Sequence, residues 1–299
     1  MPHPTIEKGA TVAWIGLGAM GIPMSRRLSS EGYRLRGYNR SRQTIHDSLP
    51  FPLFASPAEA VDGADLVILM VRDGSASRAL LWGKGGIISV LSPERILINM
   101  STIAPGEARE EARACRERSA PYFDVPVSGS VVPAEKGELL LLAGGDESLR
   151  SRIEAPLSVL GRALHWFGPA GSGMAAKLAI NSLLAAHMEA LAQTLLIGEF
   201  LDLDKKALAD AVLDSPLVTP FYRIKIKNLL EENYTKAFSA ALMKKDLDLL
   251  LAELLSHDQS IPEPLSHLRA LYQRIVAKGQ GDRDLSIVQD LLKTDARGS

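Results

Sequence analysis

The sequence of 299 residues has a single cysteine and almost no net charge. Because Cys115 has no second cysteine to pair with, an internal disulfide and a cysteine metal cluster are both excluded. The 34 basic residues are balanced by 35 acidic ones, so there is no overall field to attract a nucleic acid or an anionic membrane. We therefore expect no nucleic-acid or membrane partner, and a reduced, cytoplasmic setting.

Membrane-spanning segments, signal sequences and metal-ligand spacings are also absent from the pattern. The most apolar long segment, residues 178–200, is interrupted by the polar residues Asn181, His187, Glu189, Gln193 and Glu199. The start, Met1-Pro2-His3-Pro4, lacks the basic and apolar regions of a signal peptide. The six histidines show no ligand spacing with acids or cysteines, so no metal site is predicted.

Up to about residue 167, short apolar runs alternate with amphipathic helical stretches. The runs are short and β-branched or aliphatic, as in strands, and lie at 12–15, 34–38, 66–71, 96–100, 123–127, 139–143 and 163–167. This alternation predicts an α/β fold whose amino-terminal domain is a Rossmann-type, doubly wound and mostly parallel sheet. After Gly168 only leucine-rich helical spacing continues, so we predict an all-α carboxyl-terminal domain.

The glycine-rich segment 168–173 places the domain boundary, giving domains at 1–168 and 169–299. A long helix of about 174–200 should follow it and join the two domains. This helix is apolar on most of its circumference, so we expect other parts of the protein to enclose it. We predict that a second subunit covers part of it, in a homodimer or homotetramer. The alternative is a core helix within a monomer.

A glycine motif follows the first predicted strand directly and opens a helix. It consists of Gly16, Leu17, Gly18, Ala19, Met20 and Gly21. Gly16 would permit a tight turn, Gly18 would let a pyrophosphate approach the backbone, and Gly21 would let helix and strand pack closely. Strand, glycines, helix and second strand occur in the order of a dinucleotide-binding unit, so these residues are predicted to bind the cofactor. A purely structural turn is the alternative.

The end of the second predicted strand indicates which dinucleotide is bound. An acidic residue here would bind a ribose hydroxyl, but the sequence reads Asn39-Arg40-Ser41-Arg42. Arg40 can hold a ribose phosphate in bidentate fashion, with Asn39, Ser41 and Arg42 adding hydrogen bonds. We predict NADP, used as NADPH, with NAD as a secondary cofactor. In the alternative, these arginines are surface charges and the cofactor is NAD.

Three segments together resemble one family. The glycine motif, the segment Asp124-Val125-Pro126-Val127-Ser128-Gly129-Ser130, and Gly171-Ser172-Gly173 followed by Lys177 and Asn181 resemble the β-hydroxyacid dehydrogenases, which include 3-hydroxyisobutyrate dehydrogenase. The resemblance extends from the first strand to Lys245-Asp246. Within the family, the continuation Val131-Val132-Pro133-Ala134-Glu135 looks most like the glyoxylate and succinic semialdehyde reductase branch.

Lys177 and Asn181 are the predicted catalytic residues. Reduction of a carbonyl places negative charge on its oxygen, so a donor must stabilise that charge and supply a proton. Lys177 would lie near the positive end of an apolar helix, and both features favour release of its proton. Asn181 follows one helical turn later on the same face. The alternative is an ordinary surface lysine, but polar groups on so apolar a helix are costly unless they line a cavity.

The remaining site predictions concern the substrate and the edge of the sheet. Ser128, Gly129 and Ser130 should present backbone amides to a carboxylate, and the resemblance implies the same role. It also implies that Phe238 lines the pocket, that Lys245 contacts substrate or cofactor, and that the cofactor reaches Val71, Arg72 and Thr102 at strand ends. In the alternatives, the serine-glycine pair is a plain turn, and Lys245 forms a solvated helical pair with Asp248.

These residues predict an NAD(P)-dependent oxidoreductase acting on CH–OH groups. The reaction would be NADPH-dependent reduction of a small carboxylate-bearing aldehyde, such as glyoxylate or succinic semialdehyde, to the hydroxy acid, or the reverse oxidation. One alternative is an imine reductase of the same architecture, although such relatives usually replace the lysine with aspartate or tyrosine. A 6-phosphogluconate dehydrogenase would have a longer helical domain. A non-catalytic NADP-binding sensor is the alternative outside the enzymes.

Overall fold

The computed structural model describes residues 5–41 and 49–296. The chain forms two compact units, Met1–Lys177 and Leu178–Ser299. The predicted boundary at residue 168 precedes the long helix, whereas this division falls inside it.

Unit 1 is built on one eight-stranded sheet. In chain order its strands are β1 (Thr11–Ile15), β2 (Arg34–Tyr38), β3 (Leu66–Leu69), β4 (Ile96–Asn99), β5 (Tyr122–Asp124), β6 (Val127–Ser128), β7 (Leu139–Gly145) and β8 (Gly161–Trp166). The spatial order is β2-β1-β3-β4-β5-β7-β6, with β8 paired to β7. Strands β1 to β5 are joined by parallel pairs, whereas β7 runs antiparallel to β5 and β6 and parallel to β8. The predicted Rossmann-type, mostly parallel sheet is confirmed.

The run 123–127, predicted as one strand, is two strands in the structure. Pro126 separates them, because proline has no N–H to donate to a neighbouring strand. The Val125 N–H still bonds to the Asn99 carbonyl, continuing the pairing of β5, while the Pro126 carbonyl accepts from Leu142 N in β7. The chain therefore changes partner at the proline.

The central strands are buried on both faces. Val12 and Trp14 belong to one apolar cluster, and Ala13 and Ile15 belong to a second cluster on the opposite face. This explains why these strands read as continuous apolar runs without a polar alternation. The helices of this unit are α1 (Gly21–Ser30), α2 (Pro57–Val61), α3 (Gly74–Trp82), α4 (Pro105–Glu117), α5 (Val131–Lys136) and α6 (Glu154–Leu160), with 3-10 turns at Ile87–Val90 and Glu147–Arg152.

Helix α7 (Ser172–Phe200) begins in unit 1 and continues into unit 2, where five more α-helices follow. They are α8 (Lys205–Asp214), α9 (Pro220–Leu230), α10 (Ala240–Ser256), α11 (Glu263–Ala277) and α12 (Val288–Ala296), with a 3-10 turn at Leu285–Ile287. Ala185, Met188 and Leu195 of α7 join one apolar core with Tyr272. The predicted all-α domain is confirmed.

Helix α7 is less enclosed within this chain than its composition suggests. Leu183, Ile197 and Phe200 each expose more than half of their surface, at 58%, 55% and 53%. By length and composition alone the helix could span a membrane, but its apolar residues also build the core of unit 2. Coverage of the exposed part by a second subunit stays a prediction.

A buried ion pair ties together three segments of unit 2. Lys225 Nζ in α9 lies 2.5 Å from Asp284 Oδ1, and both side chains are almost fully buried. Oδ2 of Asp284 accepts hydrogen bonds from the backbone N–H groups of Ala237 and Phe238. The pair therefore fixes the segment that leads into α10.

Candidate functional site

The glycine loop between β1 and α1 has the geometry of a phosphate cradle. Gly16 has φ of +103°, and a Cβ there would lie 2.2 Å from the Met70 carbonyl oxygen, so only glycine fits. A Cβ on Gly21 would lie 2.0 Å from the Gly16 oxygen, which shows how closely α1 packs on the loop. Gly18 faces open space, since a Cβ on it would meet no atom within 4 Å. These residues fit a pyrophosphate held at the start of α1.

The end of β2 is bonded to this loop through Asn39. Its Oδ1 accepts from Leu17 N at 3.1 Å, and its Nδ2 donates to the Ser41 carbonyl at 3.0 Å. The Asn39 amide thus helps to fix the loop with one of its two Nδ2 hydrogens, and its contact with a ribose phosphate stays a prediction. Arg40 is exposed beside it. Arg42 lies outside the described residues.

A hydrogen-bond chain links the ends of β3 and β4. Val71 N donates to Ser101 Oγ at 2.9 Å, and Ser101 N donates to Asn99 Oδ1 at 3.0 Å. Asn99 Nδ2 in turn donates to Glu111 Oε2 at 2.9 Å. Val71 and the segment leading to Thr102, both predicted at the cofactor edge, are therefore held by a buried network that the sequence did not reveal.

Glu111 is the buried centre of that network. Ser77 Oγ and Tyr122 Oη donate to its two carboxyl oxygens at 2.6 and 2.9 Å. Burial raises the pKa of the Glu111 carboxyl above its ordinary value, and the bonds from Asn99, Ser77 and Tyr122 oppose that rise. All three donors are neutral, so their hydrogen bonds offset part of the cost of burying this carboxyl.

The predicted cofactor residues of unit 1 share one edge of the sheet. Ile15 is level with Tyr38 and with Leu69, and Leu69 is level with Asn99, so four parallel strands end side by side. The residues that follow these ends include Gly16 to Gly21, Asn39 to Ser41, Val71, Arg72 and Thr102. Ligands bind at this carboxyl edge in open parallel sheets.

The predicted substrate segment lies further along the same unit. Ser128 ends β6, Gly129 is exposed, and Ser130 occupies the N-cap position of α5 without using its side chain to cap the helix. The segment is therefore accessible, and it leads directly into the start of a helix.

Lys177 and Asn181 lie on consecutive turns of α7 and are both buried. Lys177 exposes 9% of its surface and Asn181 exposes 2%. In unit 2, Asn181 Nδ2 donates to Asp246 Oδ2 at 2.6 Å, and Asp246 is itself buried. Asp246 was not among the predicted site residues, although it stands beside Lys245 in the sequence.

Lys245 pairs with Asp246 and not with Asp248, its partner in the alternative interpretation. Its Nζ lies 2.8 Å from Asp246 Oδ1, whereas Asp248 is bonded to Lys244 and Arg269. The alternative pairing with Asp248 is therefore wrong, because the side chain at position 244, one full turn before Asp248, reaches it instead. Phe238 is half-buried two residues before α10 and packs against the core of unit 2.

Comparison with known proteins identifies the family. Residues 11–168 match the model described as the NAD binding domain of 6-phosphogluconate dehydrogenase, and residues 171–292 match that described as NAD-binding of NADP-dependent 3-hydroxyisobutyrate dehydrogenase. An NAD-dependent L-serine dehydrogenase of Pseudomonas aeruginosa is 31% identical over 290 residues, which cover 94% of this chain and 97% of that protein. The chain belongs to the β-hydroxyacid dehydrogenase family. It is accordingly an NAD(P)-dependent oxidoreductase acting on CH–OH groups of hydroxy acids.

Two further family members agree in sequence and in structure. Glyoxylate/succinic semialdehyde reductase 2 of Arabidopsis thaliana is 28% identical, covering 95% of this chain and 79% of that protein. The structure of 3-hydroxyisobutyrate dehydrogenase of Mycobacterium tuberculosis with L-serine superposes with a TM-score of 0.86 at 28% identity, covering 95% of this chain and 99% of that one. The Rossmann-type fold with a helical carboxyl-terminal domain is thus that of the family.

Proposed function

We propose that this enzyme reduces a small aldehyde acid, such as glyoxylate or succinic semialdehyde, with NADPH, or oxidises the hydroxy acid in reverse. Lys177 is the general acid in reduction and the general base in oxidation. The observation that carries the proposal is the burial of Lys177 one helical turn before the buried Asn181. A lysine is costly to bury unless it works in a cavity or with a partner group.

The chemistry divides between the cofactor and the chain. When bound, NADPH supplies the hydride. Lys177 stabilises the negative charge that develops on the carbonyl oxygen and gives that oxygen a proton. The amide nitrogen of Asn181 has two hydrogens, and one of them is donated to Asp246. The other can be donated to the carbonyl oxygen of the substrate.

The preference for NADPH is proposed from the end of β2. Arg40 is exposed directly after that strand, and the neighbouring Asn39 is bonded to the glycine loop. No carboxylate stands at residues 39–41 to repel a ribose phosphate. A guanidinium at this position suits bidentate contact with a phosphate.

The substrate class is proposed from the segment 128–130 and from the relatives. Gly129 and Ser130 are exposed residues, and their backbone amides suit a carboxylate. Relatives are named for glyoxylate and succinic semialdehyde, and another is named for L-serine, which is itself a β-hydroxy acid. Oxidation of L-serine is therefore the second candidate.

We also propose a homodimer or homotetramer that covers Leu183, Ile197 and Phe200 of α7.

The test is a substrate panel with both cofactors. Oxidation of NADPH and NADH is followed with glyoxylate, succinic semialdehyde and methylmalonate semialdehyde, and reduction of NADP and NAD is followed with L-serine and 3-hydroxyisobutyrate. We expect the fastest turnover with NADPH and an aldehyde acid. Lys177→Ala should lower kcat by about 10²-fold or more, the range for loss of a general acid, while leaving the Kd for NADPH within about threefold.

Different outcomes separate the alternatives. Full activity of Lys177→Ala would refute the role of this lysine. A cyclic imine is added to the panel, and its reduction without turnover of any aldehyde or hydroxy acid would indicate an imine reductase. Tight NADPH binding without any turnover would indicate a sensor. Faster reaction with L-serine than with every aldehyde acid would favour the second candidate.

A further inference from the structure

Asp124 at the end of β5 holds the start of α7 through two hydrogen bonds. Its Oδ1 accepts from Gly171 N at 2.8 Å and its Oδ2 accepts from Met174 N at 2.9 Å. The first N–H groups of a helix have no partner within that helix. Here the partner comes from a strand 47 to 50 residues earlier in the chain rather than from an adjacent capping residue.

The backbone around this carboxylate is packed too tightly to admit a side chain. A Cβ on Gly173 would lie 2.3 Å from the Leu142 carbonyl oxygen and 2.7 Å from the Asp124 carbonyl oxygen. A Cβ on Gly144 would lie 2.7 Å from Asp124 Oδ1 and 2.8 Å from Gly173 N. The first turn of α7 is therefore pressed against β5 and β7, and it cannot shift while both bonds of Asp124 remain.

Lys177 comes three residues after Met174 in the same helix. At 1.5 Å of rise per residue, its backbone lies only about 4.5 Å further along the axis, so a shift of the first turn is passed directly to the lysine. The chain continues from Asp124 through Pro126 into β6, which ends at Ser128 in the predicted carboxylate-binding segment. Within unit 1, Asp124 thus connects β5, which leads towards the predicted substrate residue Ser128, with α7, which carries the predicted catalytic residue Lys177.

We propose that Asp124 is a positioning residue that sets the location of the Lys177 ammonium group by fixing the first turn of α7. The proposal rests on the proposed function, in which Lys177 donates the proton. The negative carboxylate also lies at the positive end of the helix, where it is favoured. Burial raises the pKa of Asp124 to about 6 against the opposing effect of the backbone N–H groups, so measurements at about pH 8 examine the ionised form.

The experiment is a double-mutant cycle with Asp124→Asn and Lys177→Ala. Asparagine keeps the shape but offers an NH₂ group to one of the two backbone N–H donors, so one bond is lost. With NADPH and the best substrate of the panel, we expect kcat to fall about 10- to 100-fold, because misplacing a catalytic group by about 1 Å has effects of this size. The Kd for NADPH should change less than about threefold.

The double variant distinguishes positioning from general stabilisation. If Asp124 acts through Lys177, adding Asp124→Asn to Lys177→Ala should lower kcat less than about twofold further. A matched control is Asp204→Asn, which removes the carboxylate that caps α8 through Ala207 N but leaves α7 unchanged. The control should keep kcat within about twofold.

Each contrary result has a distinct meaning. If Lys177→Ala loses activity but Asp124→Asn keeps kcat within about threefold, or if the two effects multiply fully, the positioning role is refuted and the proposed function stands. If Lys177→Ala keeps its activity, the proposed function itself fails. Should Asp124→Asn not yield folded protein, Asp124→Ser, which keeps one acceptor, is measured in the same cycle under the same criteria.

Discussion

Asn181 in α7 donates a 2.6 Å hydrogen bond to Asp246 in α10, and both side chains are buried. The other oxygen of Asp246 lies 2.8 Å from Lys245 Nζ. One carboxylate therefore fixes which end of the Asn181 amide faces it and also balances the charge of the neighbouring lysine. Asp246 thus joins Asn181 and Lys245 in one polar cluster, and both of these partners are predicted to contact substrate or cofactor.

Asp246→Asn should impair catalysis by removing the charge that Asn181 and Lys245 share. Loss of a charge-assisted hydrogen bond is typically worth about 1.5 to 3 kcal/mol, so we expect kcat/KM to fall about 10- to 100-fold. Steady-state kinetics with the best substrate measure the effect. Asp248→Asn, on the same helix but bonded to Lys244 and Arg269, is the control and should stay within about threefold. Equal effects of the two variants would contradict the prediction.

Arg40→Ala should weaken NADPH and leave NADH almost unchanged. The variant removes the guanidinium proposed for the ribose phosphate, a loss of about 1.5 to 3 kcal/mol, and the Kd for NADPH should rise about 10- to 100-fold. Titration calorimetry with both cofactors measures it. Arg34→Ala, exposed in β2 at the opposite end of the strand, is the control. Unchanged NADPH binding would refute the role of Arg40.

Lys225→Met should destabilise the protein far more than Lys227→Met on the same helix. Removing Lys225 leaves the buried Asp284 without its cation, and breaking such a pair costs about 3 to 5 kcal/mol. Lys227 pairs with Glu231 at the surface, where a pair contributes at most about 1 kcal/mol. Urea unfolding followed by circular dichroism compares the two. Similar unfolding midpoints would show that the buried pair is not needed for stability.

Glu111→Gln should change how stability depends on pH. Because burial raises the pKa of Glu111 above its ordinary value of 4.5, the folded chain keeps this proton at pH values where the unfolded chain has lost it. The contribution of Glu111 to the wild-type free energy of unfolding therefore falls as pH rises from 4.5 through that interval. Glutamine has no such proton, so the free energy of unfolding of the variant should increase relative to that of the wild type as pH rises. The exposed Glu117→Gln serves as control, and a constant difference between variant and wild type would contradict the prediction.

The sequence predicted the parts of the fold that depend on local pattern. The apolar runs indicated β1, β3 and β4, since a strand buried on both faces needs continuous apolar residues. The glycine spacing indicated the loop at Gly16, since only glycine allows its backbone conformation beside Met70. Pro126 marks the break between β5 and β6, although the apolar run 123–127 predicts a single strand.

What the sequence did not predict depends on contacts between distant segments. Asp124 meets Gly171 across 47 residues, and Asn181 meets Asp246 across 65. Nothing near either acid in the chain marks it as a partner. The position of Asn39 at a strand end did not show that its amide also bonds to Leu17 N and the Ser41 carbonyl. The antiparallel direction of β7 was likewise not encoded in its apolar run.

The level ends of β1 to β4 limit where this chain can change length. Successive residues of β1, β3 and β4 face opposite cores, so deleting one residue within β3 would turn every later side chain of the strand to the wrong face. It would also draw Val71 back from the row of strand ends. Insertions and deletions should therefore be tolerated at the other edge, in the connections entering β2, β3, β4 and β5, where added residues leave the binding edge undisturbed.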